Sequence, residues 1–207
     1  MMRLARWKTW GIAVAFAVAC TVASSVAAQV VRQNLADLTN LARDIVVGTV
    51  IAVDDGISAE KVPYTEVTVA LDRTVKGKLA GTYTFRQFGL RQPRLGADGL
   101  INVMVTPEGW PRYVLGSEVM LFLYKPASRT GLRTTVGLDQ GYFRIEDGEI
   151  LSGTGNAGLF DGVDLPPARR ARLDAILPAG VSRPLLAASF IDLVETAVRE
   201  DWFEAPR

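Results

Sequence analysis

The stretch "YTEVTVALDRTVKG" (residues 64–77) decides how this chain is to be read. Thr65, Val67, Val69, Leu71 and Val75 fall on one side of it, and Glu66, Thr68, Asp72, Thr74 and Lys76 on the other. Successive side chains of a strand point to opposite faces, so the alternation describes a β-strand with one face in a core and the other in water. Lys76-Gly77 ends it, because glycine enters the positive-φ region at little cost and reads as a turn rather than a ligand loop. "GTYTFRQFG" (81–89) then returns as the next strand, with Tyr83 and Phe85 on one face.

Outward from that pair the pattern stays β-rich. "IVVGTVIAV" (45–53) is apolar on both faces and too short for a typical helix, which makes it a central strand, with Gly48 marking a bulge or a close backbone approach. Before it, "NLADLTNLARD" (34–44) opens on Asn34, a good cap, and spaces Leu35, Leu38 and Leu41 for a short amphipathic helix. "GSEVMLFLYKP" (116–126) is another strand apolar on both faces and stopped by Pro126. "GLRTTVGLDQGYFRIEDGEIL" (131–151) gives two more strands, interrupted at Asp139-Gln140-Gly141 and turning at Glu146-Asp147-Gly148. Short strands with glycine turns and no long helix between them predict a mainly β fold, a small antiparallel barrel of the OB type.

The last third changes character. Prolines and Leu173, Ile176 and Leu177 in "LPPARRARLDAIL" (165–177) predict a helix of two or three turns. A second begins near Ser182 and places Leu186, Phe190, Leu193, Val194, Ala197 and Val198 on one stripe, which docks on the body of the domain or, as the alternative, into the groove of a partner protein. The expected organisation is a leader over 1–28, a β-barrel domain with its N-terminal helix over 29–160, and a helical extension over 161–207.

The leader is read from "MMRLARWKTWGIAVAFAVACTVASSVAAQ". Arg3, Arg6 and Lys8 form a positive start, Gly11 to Val22 an apolar stretch, and Val26-Ala27-Ala28 a small-residue cleavage site, the pattern of a secretory signal. Cleavage after Ala28 predicts a periplasmic or secreted protein; acylation at Cys20 is the alternative and the only route to a membrane. The totals bound the chemistry further. The chain of 207 residues contains no histidine, and its one cysteine lies in the leader. Ser-His-Asp and Cys-His mechanisms, disulfides and cysteine zinc sites are therefore excluded from the body. A net charge of +1 supplies no field that would attract nucleic acid.

With these segments in place a resemblance emerges. "LADLTNLARDIVVGTVIAV", "YTEVTVALDRTVKGKLAGTYTFRQFG", "PRYVLGSEVMLFLY" and "VGLDQGYFRI" follow one another as in a set of uncharacterised exported bacterial proteins, which this chain resembles over most of its length after the leader. The barrel half is also similar to the OB-type fold of tissue inhibitors of metalloproteinases and netrin-like modules. Those inhibitors reach a protease zinc through a disulfide-held N-terminal cysteine. None is left here after export, so the resemblance implies fold and export without that device.

Candidate sites come from the segment Leu90 to Pro111, a long loop or ragged hairpin around "LINVMV" (100–105). "FRQFGLRQPR" (85–94) gathers Arg86, Arg91 and Arg94 among phenylalanines, suited to an anionic group. "EGWPRY" (108–113) offers Trp110, Arg112 and Tyr113, residue types favoured as interface anchors or as an aromatic plug. "GTGNAG" (153–158) lacks the Lys-Ser/Thr ending of a phosphate loop, and the acidic turn of Glu146, Asp147 and Glu149 lacks EF-hand spacing. The expectation is a non-enzymatic binding or protein-interaction module of the cell envelope, without cofactor, using Leu90 to Tyr113 on an envelope or extracellular protein or an anionic ligand. The alternatives are a hydrolase relying on carboxylates or an oxygen-ligated metal, and an inhibitor of a secreted protease.

Overall fold

A computed structural model describes residues 31–95, 99–175 and 183–203. The leader, Cys20, and the positions of Ile176, Leu177 and Ser182 lie outside the described residues. The elements in chain order are α1 (Leu35–Leu41), β1 (Asp44–Ile57), β2 (Pro63–Lys76), β3 (Thr82–Phe88), β4 (Arg94–Leu95), β5 (Ile101–Asn102), β6 (Glu118–Leu123), a 3₁₀ turn (Leu138–Gly141), β7 (Tyr142–Glu146), β8 (Glu149–Ser152), α2 (Pro167–Asp174), β9 (Leu185–Leu186) and α3 (Ala187–Arg199). Among the described residues no helix is long and apolar enough to cross a membrane.

The fold is mainly β. Seven strands form one antiparallel sheet in the order β3-β2-β1-β6-β7-β8-β9, and β4 pairs with β5 in a separate hairpin. The expected barrel is not closed, for β3 and β9 remain edges. What comes nearest to closing it is the segment 131–136, expected as a strand. It forms no strand but makes an isolated bridge, Thr135 to Leu123, and a backbone bond to β3, from the Arg133 N–H to the Arg86 carbonyl (2.7 Å). Arg133 turns its side chain inward there, where it meets the Asp44 carboxylate, the Tyr124 carbonyl and the Tyr83 hydroxyl.

The long β1–β2 pair carries three register shifts. Val75 and Asp72 are unmatched on β2 and Ile51 on β1, and each extra residue bends the ribbon and raises its twist. The shift explains why Val75 parts company with Val67 and Val69 although all share one parity: Val75 joins the core under the helices, the other two the opposite core. Gly48 sits at one shift, and a Cβ there would collide with the Ala70 carbonyl, so both sequence readings of that glycine hold. Gly77 has φ +96°, and its missing Cβ leaves room for the Asp44 carboxylate.

Two cores share β1 and β6. On one face Ile45, Val47, Met120 and Phe122 pack with the helices; on the other Val46, Val50, Val119 and Leu121 pack with Val67, Val69 and Phe85 of β2 and β3. The helical face is closed by α1, whose capping box joins Asn34 Oδ1 to the Asp37 N–H (3.0 Å) and Asp37 Oδ2 to the Asn34 N–H (3.2 Å). Leu35 and Leu38 are buried, whereas Leu41 faces outward because the chain leaves the helix at Ala42.

On the same face Phe190 of α3 lies against Phe143, with ring centroids 5.3 Å apart, and Phe143 against Phe122 at 5.5 Å. Leu173 of α2 and Trp202 complete this core, so the helical extension shares its interior with the β body. The helix α3 starts later than its stripe predicts. Leu185 and Leu186 pair with β8 and the Ala187 N–H donates to the Gly148 carbonyl (2.8 Å), so Leu186 is exposed and Ile191 takes a place on the buried face.

Candidate functional site

The end of the second core is covered by the segment that follows β3. Leu90 is buried, its N–H donates to the Met104 carbonyl (3.0 Å), and its own carbonyl accepts from the Thr106 N–H (2.8 Å). Gly89 makes this crossing possible, since a Cβ there would stand 2.6 Å from the Thr106 backbone and its φ is +98°. The buried side chain of Gln87 holds the next loop by donating to the Pro111 carbonyl (3.0 Å).

Beneath this cover lies a cavity of about 210 Å³, lined by Thr65, Arg91, Thr106, Pro111, Arg112 and Tyr113 together with Val53. The structure therefore brings together Arg91, Arg112 and Tyr113 of the six residues singled out in the sequence. Arg91 is fixed twice: its N–H donates to Asp55 Oδ2 (2.9 Å) and its Nη1 to the Val53 carbonyl (3.2 Å). Arg112 is exposed. Tyr113 is buried between Phe85 and Tyr142, edge-to-face with both at 5.6 and 5.3 Å, and its hydroxyl has no hydrogen-bond partner among the described residues. Burial, with the nearby Tyr142 and Asp139, holds that phenol well above its ordinary pKa, so it remains an O–H donor through neutral pH.

The other three residues stand elsewhere. Arg94 pairs with Asp55 and so pins the β4–β5 hairpin to β1. Arg86 points to the outer face of β3, where Nε donates to Glu66 Oε2 (2.6 Å) and the guanidinium lies 4.3 Å from the Tyr64 ring centre. Trp110 is half-buried and tilts against Phe88 at 6.3 Å.

A second cavity of about 320 Å³ opens on the far side of the 108–113 loop, lined by Arg32, Gly109, Gly137, Asp139, Gln140 and Thr154. Burial raises the Asp139 carboxyl above its ordinary value, against the opposing charge of Arg112. Gln140 ties the N-terminal segment to this wall, accepting from the Gln33 N–H (2.6 Å) and donating to the Val31 carbonyl (3.1 Å). Sequence reading noticed Asp139-Gln140-Gly141 only as an interruption between strands, and missed Arg32, Gln87 and Asp55 altogether. Among the described residues no three carboxylates converge on a point that would hold a cation. The acidic turn is the β7–β8 connection, with Asp147 at φ +52°.

The β4–β5 hairpin and the residues flanking it expose apolar side chains. Leu95, Leu100, Ile101 and Val103 are each between 65% and 68% exposed, and Leu95 lies directly opposite Ile101 in the ladder. Comparisons with protein-family models, with curated proteins and with solved structures find no match to this chain.

Proposed function

We propose that this chain is a non-enzymatic binding module acting outside the cytosol, and that it engages a partner protein through the segment from Leu90 to Tyr113. The observation that carries the reading is the set of exposed apolar side chains on and beside the hairpin, Leu95, Leu100, Ile101 and Val103, in a segment tied to β1 by the Asp55 carboxylate. Contiguous exposed apolar side chains mark interaction sites, and a hairpin already held in place loses little freedom on binding. The tripartite leader supports export. The lack of any histidine supports binding over acid–base catalysis.

A photo-crosslinking residue placed at Ile101 in the producing cells tests this, with the exposed Thr84 of β3 as the control position. A discrete adduct from position 101 and none from 84 is expected, and the variant Ile101→Asp abolishes co-isolation of the same protein. Equal labelling from both positions, or no adduct from 101, rejects the reading.

One observation favours hydrolysis as a second reading: the raised carboxyl of Asp139 in the larger cavity, a feature that recurs at acid–base sites. A turnover found in a screen of ester and glycoside substrates and lost in Asp139→Asn would establish it in place of the first.

A further inference from the structure

We propose that the cavity beneath the Leu90–Tyr113 cover is a carboxylate site, which takes a small organic acid, free or as the last residue of a peptide. This inference concerns the pocket behind the hairpin and stands whether or not the hairpin's exposed apolar side chains bind a protein.

The lining has one sign of charge. Arg91 and Arg112 contribute guanidinium groups and none of the lining residues is acidic. Arg91 is held at the rim by Asp55 and the Val53 carbonyl, which use its backbone N–H and one of the five N–H donors of its guanidinium. Tyr113 contributes its ring to the wall, while its hydroxyl is enclosed among the surrounding side chains and does not open into the cavity.

Number and kind of donors decide the ligand class. The two threonine hydroxyls have already given their protons, Thr65 to the Gly89 carbonyl (2.7 Å) and Thr106 to the Leu90 carbonyl (3.3 Å). What remains is two planar guanidinium forks, which bind the paired oxygens of a carboxylate, while the apolar part of the lining favours an organic acid over inorganic phosphate. Val53, Pro111 and the Tyr113 ring give an apolar wall for the body of the acid. At about 30 Å³ for a water, the volume equals that of about seven waters and admits a small organic acid.

The test is calorimetric and NMR titration of the protein purified from its producing cells with benzoate and butyrate, with neutral benzamide, with inorganic phosphate, and with a short peptide carrying a free or an amidated C-terminus. Saturable binding of the carboxylates is expected, without binding of benzamide or phosphate. Competition by the free-ended peptide and not by its amide identifies a chain terminus as the source; competition by neither identifies a free acid. Exposed Arg112→Gln weakens binding at least about tenfold, the range for a charge-assisted hydrogen bond. The proposal is overturned if no carboxylate saturates, if benzamide binds as well as benzoate, if phosphate binds in their place, or if binding survives Arg112→Gln.

Discussion

Asp44 and Arg133, 89 residues apart in the chain, form an ion pair that is almost wholly enclosed, the arginine at 2% and the aspartate at 9% side-chain exposure. The guanidinium is satisfied beyond the carboxylate by the Tyr124 carbonyl and the Tyr83 hydroxyl, the latter at 2.6 Å. It thereby joins β1, β3 and the segment after β6. Removing one member leaves a buried charge without its partner, so Arg133→Met or Asp44→Asn is expected to destabilise the fold by about 3–5 kcal/mol. Urea unfolding of each single variant measures this, and the double variant is expected to lose less than the sum of the two.

Gly77 is coupled to that pair. At φ +96° a β-carbon is strained wherever it points, and here it points at the Asp44 carboxylate. Gly77→Ala is expected to cost on the order of 1–3 kcal/mol, the range for a non-glycine residue held in a disfavoured backbone region. Thermal melts of Gly77→Ala beside Gly81→Ala separate strain from collision, since Gly81 shares the positive φ but has none of the described residues within 4 Å of its Cβ position.

Phe190 closes the row of rings that begins at Phe122 and passes through Phe143. Phe190→Ala is expected to cost about 3–5 kcal/mol, because a fully buried ring is lost and α3 cannot collapse into the gap without leaving Ala187 and Gly148 behind. Chemical denaturation checks it. The exposed Arg73, which bridges Asp192 and Glu195 at 3.0 and 3.1 Å, fastens the same helix and should contribute less than about 1 kcal/mol.

Asp139 makes stability depend on pH in a predictable sense. Its carboxyl binds a proton more tightly in the folded protein than in the unfolded chain, whose value is near 3.8, so the folded state is penalised as the group ionises. The penalty is absent below the unfolded value and grows as pH rises through the folded one. Asp139→Asn is therefore expected to be more stable than the parent at neutral pH, with the difference vanishing as the pH is taken below about 4. Paired melts across that range measure it; a constant difference would mean that the carboxyl acts through contacts and not through charge.

How much of this was legible in the sequence depended on whether the cause was local. Alternation from Thr65 to Leu71, the Asn34 cap and the two-faced strand at 45–53 are written in neighbouring residues, and each is found in place. Val75 went astray because a bulge, invisible in the spacing, moves it to the other core. The segment 131–136 looked like a strand, but Arg133 is claimed by Asp44, and no short window contains both residues. The candidate site divides the same way. Arg91, Arg112 and Tyr113 were nameable by type, whereas Gln87 and Asp55, which hold the cover in place, reveal themselves only by what they touch.

The sharing of β1 between two interiors has a kinetic consequence. Val46 must find Leu121, and the helical interior waits for Phe190 and Trp202, so neither half can be finished from the first hundred residues alone. Contacts that span so much chain form slowly. The helical interior of a newly made copy thus stays open until the residues around Phe190 and Trp202 can join it.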